Sequence, residues 1–571
     1  MRNRRLVVSA ALVAAGFGLI PGTAQATGPA PAGPAPAGHG KAAPGVDLDK
    51  ARAAAALTFA SPADRTVRTL RTAPSGGQNK AARAGADAGT EAQAQAQAAE
   101  GNPGLAVALA GSSQTAHGLD LESTVTSADA SLDISIAWGD GTADRVTASG
   151  STVLTNRHSY AEVGTYTVTV SVWDATNKVS AVNKTEIVTA GSDFTPHAPT
   201  RLLDTRDGTG AAKAKVGPYG MTALKIGGVG KIPAGVTAVA INVTVTNATS
   251  AGYVAVQPGK DFFPPTTSNV NYVAGQTVPN LVIVPVHEGY VHLVNSGSGS
   301  VDLIADVTGY FGRTESSGYT SLAPVRFADT REGLGTIKGQ VPGYGTFGLD
   351  IADRRGVPKG ATAVALNMTV TNPRDAGHLT AFPSGQAAPS TSSVNFSAGQ
   401  TVANSVIVPI GSDGRISIRN GGWAPTDVVV DVVGYYSPDS KAAFMPLVPN
   451  RLLDTRRWAY GPLPARGYVP LPIFTGYPGI EGYVLNATVT TTRGDGFLSV
   501  SPDPNTWDLY ENGTAGWPER PVSSTLNWTA GSTVPNLAQA SAGKGSVIDF
   551  WNQGWDDIDL VVDMFGFYEK N

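Results

Sequence analysis

Arg201-Leu-Leu-Asp-Thr-Arg206 returns as Arg326-Phe-Ala-Asp-Thr-Arg331 and as Arg451-Leu-Leu-Asp-Thr-Arg456, each copy 125 residues after the one before. Each opens a segment that ends on a second shared signature: Asp306-Val-Thr-Gly-Tyr-Phe311, Asp431-Val-Val-Gly-Tyr-Tyr436 and Asp563-Met-Phe-Gly-Phe-Tyr568. Two-thirds of the chain is therefore one module written three times, at 196–314, 320–438 and 444–570, and repetition at a fixed spacing decides architecture before any motif does. Within a copy the pattern is β. Ala238, Ala240, Asn242 and Thr244 alternate with Val239, Ile241, Val243 and Val245, a period-two reading. Val282-Ile-Val-Pro-Val286 and Val291-His-Leu-Val294 flank Glu288-Gly289, a hairpin signal. Glycine and proline punctuate at strand spacing, so the expected class is all-β, with three sandwich or jelly-roll repeats. Triplication suits a binding or spacing unit better than a catalyst.

Working outward, Leu132-x-Ile134-x-Ile136-x-Trp138 reads as a half-buried strand followed by a Gly139-Asp-Gly-Thr142 turn, and Tyr166 to Trp173 alternates again. The Trp138-Gly-Asp-Gly141 turn with the later His158-x-Tyr160 to Val172 pattern resembles the PKD family of immunoglobulin-like sandwiches, over 104–190. That resemblance implies a non-catalytic spacer or binding domain of extracellular proteins. The triplicated module resembles an Arg-Leu-Leu-Asp-Thr-Arg repeat of secreted actinobacterial proteins, which implies an envelope or extracellular setting and brings no activity with it.

The first 26 residues read as a secretory signal: Arg2, Arg4 and Arg5, an apolar run Leu6 to Ile20, and a small-residue cleavage site at Ala24-Gln25-Ala26. Residues 27–103 are rich in Pro, Ala and Gln and read as a disordered stalk. No later stretch approaches the roughly 20 apolar residues of a membrane span. With no cysteine in 571 residues, thiol chemistry and disulfides are excluded and stability must come from core burial. Charged residues make up only 15% and the formal net charge is −4, with no basic run interleaved with aromatics, so nucleic acid is not an expected partner.

The polar residues common to the copies are the opening Arg201/326/451, Asp204/329/454 and Arg206/331/456, and the closing Asp306/431/563. With them go Asn242/367/486, a Ser-x-x-Asn (Ser268/392/524, Asn271/395/527) and Asn280/404/536. Arginine forks and amides in such a set can grip carboxylates or read sugar hydroxyls. Strand parity, however, sets Asp204 and Arg206 on one face and Arg201 on the other. The set therefore reads as a fold signature, with an Asp–Arg pair joining first and last strands.

His287-Glu-Gly-Tyr-Val-His292 lacks the four-residue spacing on a helix that a zinc protease needs, and no Gly-x-Ser-x-Gly elbow is present. No catalytic residue, metal or cofactor is expected, and the chain reads as a non-enzyme. Six of nine tryptophans lie beyond residue 450. Trp423 and Trp555 fall at Gly-Trp tips between the last two strands of copies two and three, and Trp507 and Trp517 fall in an insertion near 503–521 of copy three alone. A tryptophan on an exposed turn suits stacking on a sugar face, so these four are the candidate ligand-binding residues. The expected function is a secreted surface protein that binds polysaccharide or a cell-wall component. The alternatives are a structural spacer or adhesin that binds an extracellular protein, and a hydrolase with an unrecognised site.

Overall fold

The computed structural model describes residues 47–70, 102–261, 263–457 and 461–571. The signal-peptide assignment and most of the expected stalk lie outside the described residues. Among the described residues the chain is almost entirely β, in eight antiparallel sheets of four or five strands. No helix among them is long and apolar enough to cross a membrane.

Each repeat has eight strands. In the first they are Asp193–Asp204, Met221–Lys225, Ala238–Thr246, Gly252–Pro258, Val270–Tyr272, Val278–Pro285, Tyr290–Asn295 and Asp302–Gly312. One sheet runs in the order first, eighth, third, sixth; the other runs second, seventh, fourth, fifth. This two-sheet order is that of a jelly roll, and the second and third copies repeat it. The repeats start slightly earlier than the signatures suggested, at Asp193, Gly318 and Ala443.

In a free-standing sandwich, a third strand alternates core and solvent. Here all nine residues from Ala238 to Thr246 are buried. Val239, Ile241, Val243 and Val245 fill the core of their own sandwich. The opposite face, including Ala238 and Ala240, joins a separate cluster to which all three repeats contribute. Its aromatic rings pack in a closed cycle. Phe194 of the first repeat stacks on Tyr436 of the second at 4.1 Å. Tyr319 of the second stacks on Tyr568 of the third at 4.1 Å, and Phe444 of the third meets Phe311 of the first at 4.5 Å.

A polar cycle runs the same way. The amide of Asn404 donates to Asn242 Oδ1 (2.9 Å), that of Asn536 to Asn367 Oδ1 (3.0 Å), and that of Asn280 to Asn486 Oδ1 (3.0 Å). The receiving asparagines donate back to main-chain carbonyls: Asn242 to Ser392 O (2.7 Å), Asn486 to Ser268 O (2.8 Å), and Asn367 to Ser524 O. The sixth strand is the edge of its sheet, and its outward N–H groups need partners. Leu281 N donates to Asn404 Oδ1, Ser405 N to Asn536 Oδ1, and Leu537 N to Asn280 Oδ1, at 3.0–3.2 Å. A head-to-tail contact that repeats and closes after three steps defines a ring with approximate threefold symmetry. The chain is thus a trimer of jelly rolls made by one polypeptide.

The glycine of the closing signature serves this axis. A Cβ at Gly434 would lie 2.7 Å from Cε2 of Tyr319, and one at Gly566 would lie 2.5 Å from Cζ of Phe444. Gly434→Ala should therefore displace the Tyr319–Tyr568 stack. We expect a loss on the order of 3 kcal/mol, seen as a lower thermal midpoint. Gly235→Ala, where a Cβ would meet open space, should leave the midpoint within about 0.5 kcal/mol of the wild type.

The segment ahead of the repeats forms a second kind of sandwich. Its sheets combine Ala106–Ser113, Gly118–Thr126 and Thr152–Ser159 on one side with Ser131–Ala137, Ala143–Ser149, Thr165–Asp174 and Val179–Val188 on the other. Part of the expected stalk belongs to it, which corrects the 27–103 boundary. Leu57–Ser61 pairs with Ala106–Ser113, and Val67–Leu70 pairs with Val179–Val188, so this segment adds an edge to both sheets. The preceding helix, Leu48–Ala55, buries Leu48 and Ala51 in the core of the third repeat. A helix from Leu48 was legible in this Ala-rich stretch, but the two strands were not, because their partners lie far along the chain.

The sandwich is fastened to the ring by specific polar contacts. Arg52 pairs with Glu569, and Lys441 pairs with Glu162. Ala116 N donates to Glu569 Oε2 at 2.9 Å, and the Asn571 amide donates to Tyr160 O at 2.7 Å.

Candidate functional site

The opening signature folds into the same cluster three times. In the first repeat Thr200, Arg201, Leu203 and Asp204 face Val307, Asp306, Ala305 and Ile304, so Leu202 is skipped. This bulge reverses the alternation between Arg201 and Asp204 and brings them together. It overturns the parity expectation, which had put them on opposite faces. Arg201 grips Asp306 through Nε (2.9 Å) and Nη2 (3.3 Å), and its Nη1 reaches Asp204 at 3.0 Å. Arg206 holds the same Asp204 through Nε (2.9 Å) and Nη2 (2.7 Å). The intervening Thr205 donates to Asp302 and accepts from Leu303 N, both at 3.0 Å.

The second copy (Arg326, Asp329, Arg331, Asp431) and the third (Arg451, Asp454, Arg456, Asp563) repeat this geometry. The hydrogen bonds of Arg206 hold the Asp204 carboxyl below the usual carboxylate range. Burial pushes Asp306 up, against the pull of Arg201. With its carboxylates consumed by its own arginines, the cluster is built to fasten first and last strands.

Trp423 and Trp555 stand at equivalent tips, 80% and 79% exposed. Each tip rests on a buried asparagine. The Asn420 amide donates to the carbonyls of Val341, Pro342 and Ala424, and its Oδ1 accepts from Gly422 N at 2.9 Å. Asn552 does the same with Leu463, Pro464, Asp556 and Gly554. Opposite each tryptophan lies a residue in the left-handed region, Tyr344 (φ 59°) or Arg466 (φ 56°). The Tyr344 ring meets Trp423 edge-on at 5.1 Å, and the Arg466 guanidinium lies 5.1 Å from the centre of the Trp555 ring. The first repeat keeps the asparagine (Asn295) and the aromatic (Tyr219, φ 52°), with Gly297 in the turn. The ring's threefold places all three tips at one end. Asn295, Asn420 and Asn552 were missed in the sequence, although the first two stand one repeat length apart beside a glycine-rich turn.

Trp507 and Trp517 behave differently. Trp507 opens a short helix, Trp507–Glu511, where it donates to Glu511 (3.0 Å) and stacks on Tyr510. Trp517 is 56% exposed and meets Tyr468 edge-on at 5.4 Å. Tyr468 also stacks on the buried Trp551 at 4.4 Å, and the Arg520 guanidinium lies 4.9 Å from the centre of the Trp551 ring. Beneath this insertion two buried carboxyls meet. Asp503 accepts from Tyr510 and from the main-chain and side-chain nitrogens of Asn505. Burial, then Asp503 itself, pushes Asp549 up to about 10. The two are closed off from solvent, so they offer no acid/base pair to a substrate in this conformation.

The recesses beside Asp306 and Asp431, at the first and second seams, hold about 10 and 30 Å³. Between the third repeat and the first lies a groove of about 620 Å³, with Arg451, Arg456 and Arg457 on one wall and Tyr253, Ser268 and Asn271 on the other.

No family model matches the chain, and no curated protein matches it at a significant level. Among solved structures, a SusE-like protein is matched over 37% of this chain and 97% of its own, at 11% identity and a TM-score of 0.11. A chain from the atomic structure of Sulfolobus turreted icosahedral virus is matched over 67% of this chain and 92% of its own, at 12% identity and a TM-score of 0.14.

Proposed function

We propose that this is a secreted, non-catalytic surface protein whose three-repeat ring binds polysaccharide through the aromatic tips at one end. The observation that carries the reading is the pair Trp423 and Trp555, left about four-fifths exposed on turns that buried asparagines hold in place. A large ring presented rigidly binds a sugar face with little ordering cost, and its indole N–H supplies a polar handle. Two such tips on one rigid ring can engage one polymer together, so weak contacts multiply. The first sandwich, with its PKD-like pattern, is the spacer in this reading.

The test is retention of the full chain on insoluble cellulose, chitin and bacterial cell wall. Changing Trp423 and Trp555 together to alanine should reduce retention on the preferred polymer about tenfold or more, with the melting temperature unchanged. Unchanged retention would remove the tips from the site and favour the spacer or protein-binding reading.

A further inference from the structure

We infer that the seam between the third and first repeats is a separate site for an anionic saccharide, one carrying a carboxylate or phosphate on a polyhydroxylated unit. Each seam brings the Arg–Asp–Arg cluster of one repeat toward its neighbour, but the residue after the cluster differs. It is Asp207 in the first repeat, Glu332 in the second and Arg457 in the third. The first two clusters therefore set two arginines against three carboxylates, whereas the third sets three arginines against Asp454 and Asp563. The reversal occurs at the seam where the large groove lies.

At the second seam the chain leaving the third repeat's insertion comes close, and Val522 O accepts from Arg326 Nη2 at 3.3 Å. At the third seam Arg451 and Arg456 line open space. Arg456 commits Nε and Nη2 to Asp454, which leaves Nη1 outside that pair. Arg457 is the least committed of the three: its side chain is 81% exposed and 3.8 Å from Asp454.

The rest of the lining is hydroxyl-rich and neutral. Thr488, Thr490 and Thr533 come from the third repeat, Thr266 and Ser268 from the first, and no carboxylate side chain among the described residues lines the groove. Guanidinium forks match carboxylate and phosphate oxygens, hydroxyls match sugar hydroxyls, and the Tyr253 ring offers an apolar face. A volume of about 620 Å³ lies within the range of small-ligand sites and accommodates a few sugar units. Arginines already paired with aspartates keep fixed positions, which reduces the ordering needed on binding.

The groove and the tryptophan tips are different surfaces, and affinity electrophoresis of the full chain separates them. Gels would contain polygalacturonate, poly(glycerol phosphate) or neutral dextran. Retardation by at least one anionic polymer and not by dextran is expected, and whichever polymer acts distinguishes carboxylate from phosphate. Arg457→Glu should weaken that retardation about tenfold without shifting the melting temperature. Lys178→Glu makes the same charge change on the first sandwich and should leave retardation intact, as should alanine at both Trp423 and Trp555. Failure of both anionic polymers to bind, equal binding of dextran, no effect of Arg457→Glu, or an equal effect of Lys178→Glu would each overturn the assignment.

Discussion

Replacing Asn280 with alanine should destabilise the repeat ring by on the order of 4 kcal/mol, more than any substitution in the Arg–Asp–Arg cluster's exposed arm. Asn280 uses both its N–H groups and its carbonyl oxygen across or beside a seam. One N–H goes to Asn269 O at 2.6 Å and the other to Asn486 Oδ1 at 3.0 Å, while Oδ1 accepts from Leu537 N. The residue is fully buried. Alanine would strand three polar groups at once, and each loses solvation without recovering a partner. The damage would fall on the third-to-first seam, because Asn486 and Leu537 belong to the third repeat. The expected observation is an early unfolding transition in denaturant that separates seam opening from loss of the individual sandwiches. Asn271→Ala is the comparison, since Asn271 is half-buried and its side chain accepts from Ser268, three residues earlier in the same repeat; its midpoint should fall by under about 1 kcal/mol. Equal midpoints for the two variants would show that the asparagine cycle does not hold the ring.

The repeat length, the β class and the two signatures were legible because they depend on local spacing. The ring was not legible, since closure depends on which faces meet. Ala238-x-Ala240-x-Asn242-x-Thr244 has the small, polar look of a solvent face, yet that face is buried. The missing clue was negative: it carries no Lys, Glu or Arg, as a wet strand of this length ordinarily would. Parity failed at Arg201 for a different reason, because a one-residue bulge leaves no mark on the pattern until a register is known. The shared asparagines were legible as a set but not as fasteners, since their partners across the seams lie 123 to 257 residues away. The exposed tips were legible because Gly-Trp between two strands is a local feature. The charge reversal at Arg457 was visible too, but it acquires meaning only beside a groove formed by residues of another repeat.

Asp549→Asn should stabilise the third repeat at pH 8 and flatten its dependence on pH. Asp549 lies on the seventh strand with no exposure, and its carboxyl faces that of Asp503. Two carboxylates cannot both ionise in such a place, and burial pushes Asp549 up to about 10. Neither Asp549 oxygen has a hydrogen-bond partner, so burial favours its neutral form, whereas Asp503 accepts from Asn505 and Tyr510. The direction of the linkage follows from the folded value lying above the unfolded one. The stabilisation is complete below the ordinary carboxyl range, near pH 4, and is lost steadily as pH rises toward 10, because the folded state must retain a proton that the unfolded state gives up. Between pH 5 and pH 9 the loss is on the order of several kcal/mol. Asparagine keeps the shape and the donor of the protonated acid but does not titrate. Thermal midpoints from pH 5 to pH 9 should therefore fall for the wild-type chain and stay nearly level for Asp549→Asn, with the curves meeting at the acid end. Asp503→Asn removes the acceptor as well as the charge. It should relieve the pH dependence yet lower the midpoint at pH 5, because Tyr510 and the Asn505 N–H groups lose the carboxylate that gathers them. Parallel slopes for the wild type and Asp549→Asn would mean that Asp549 ionises freely in the folded chain.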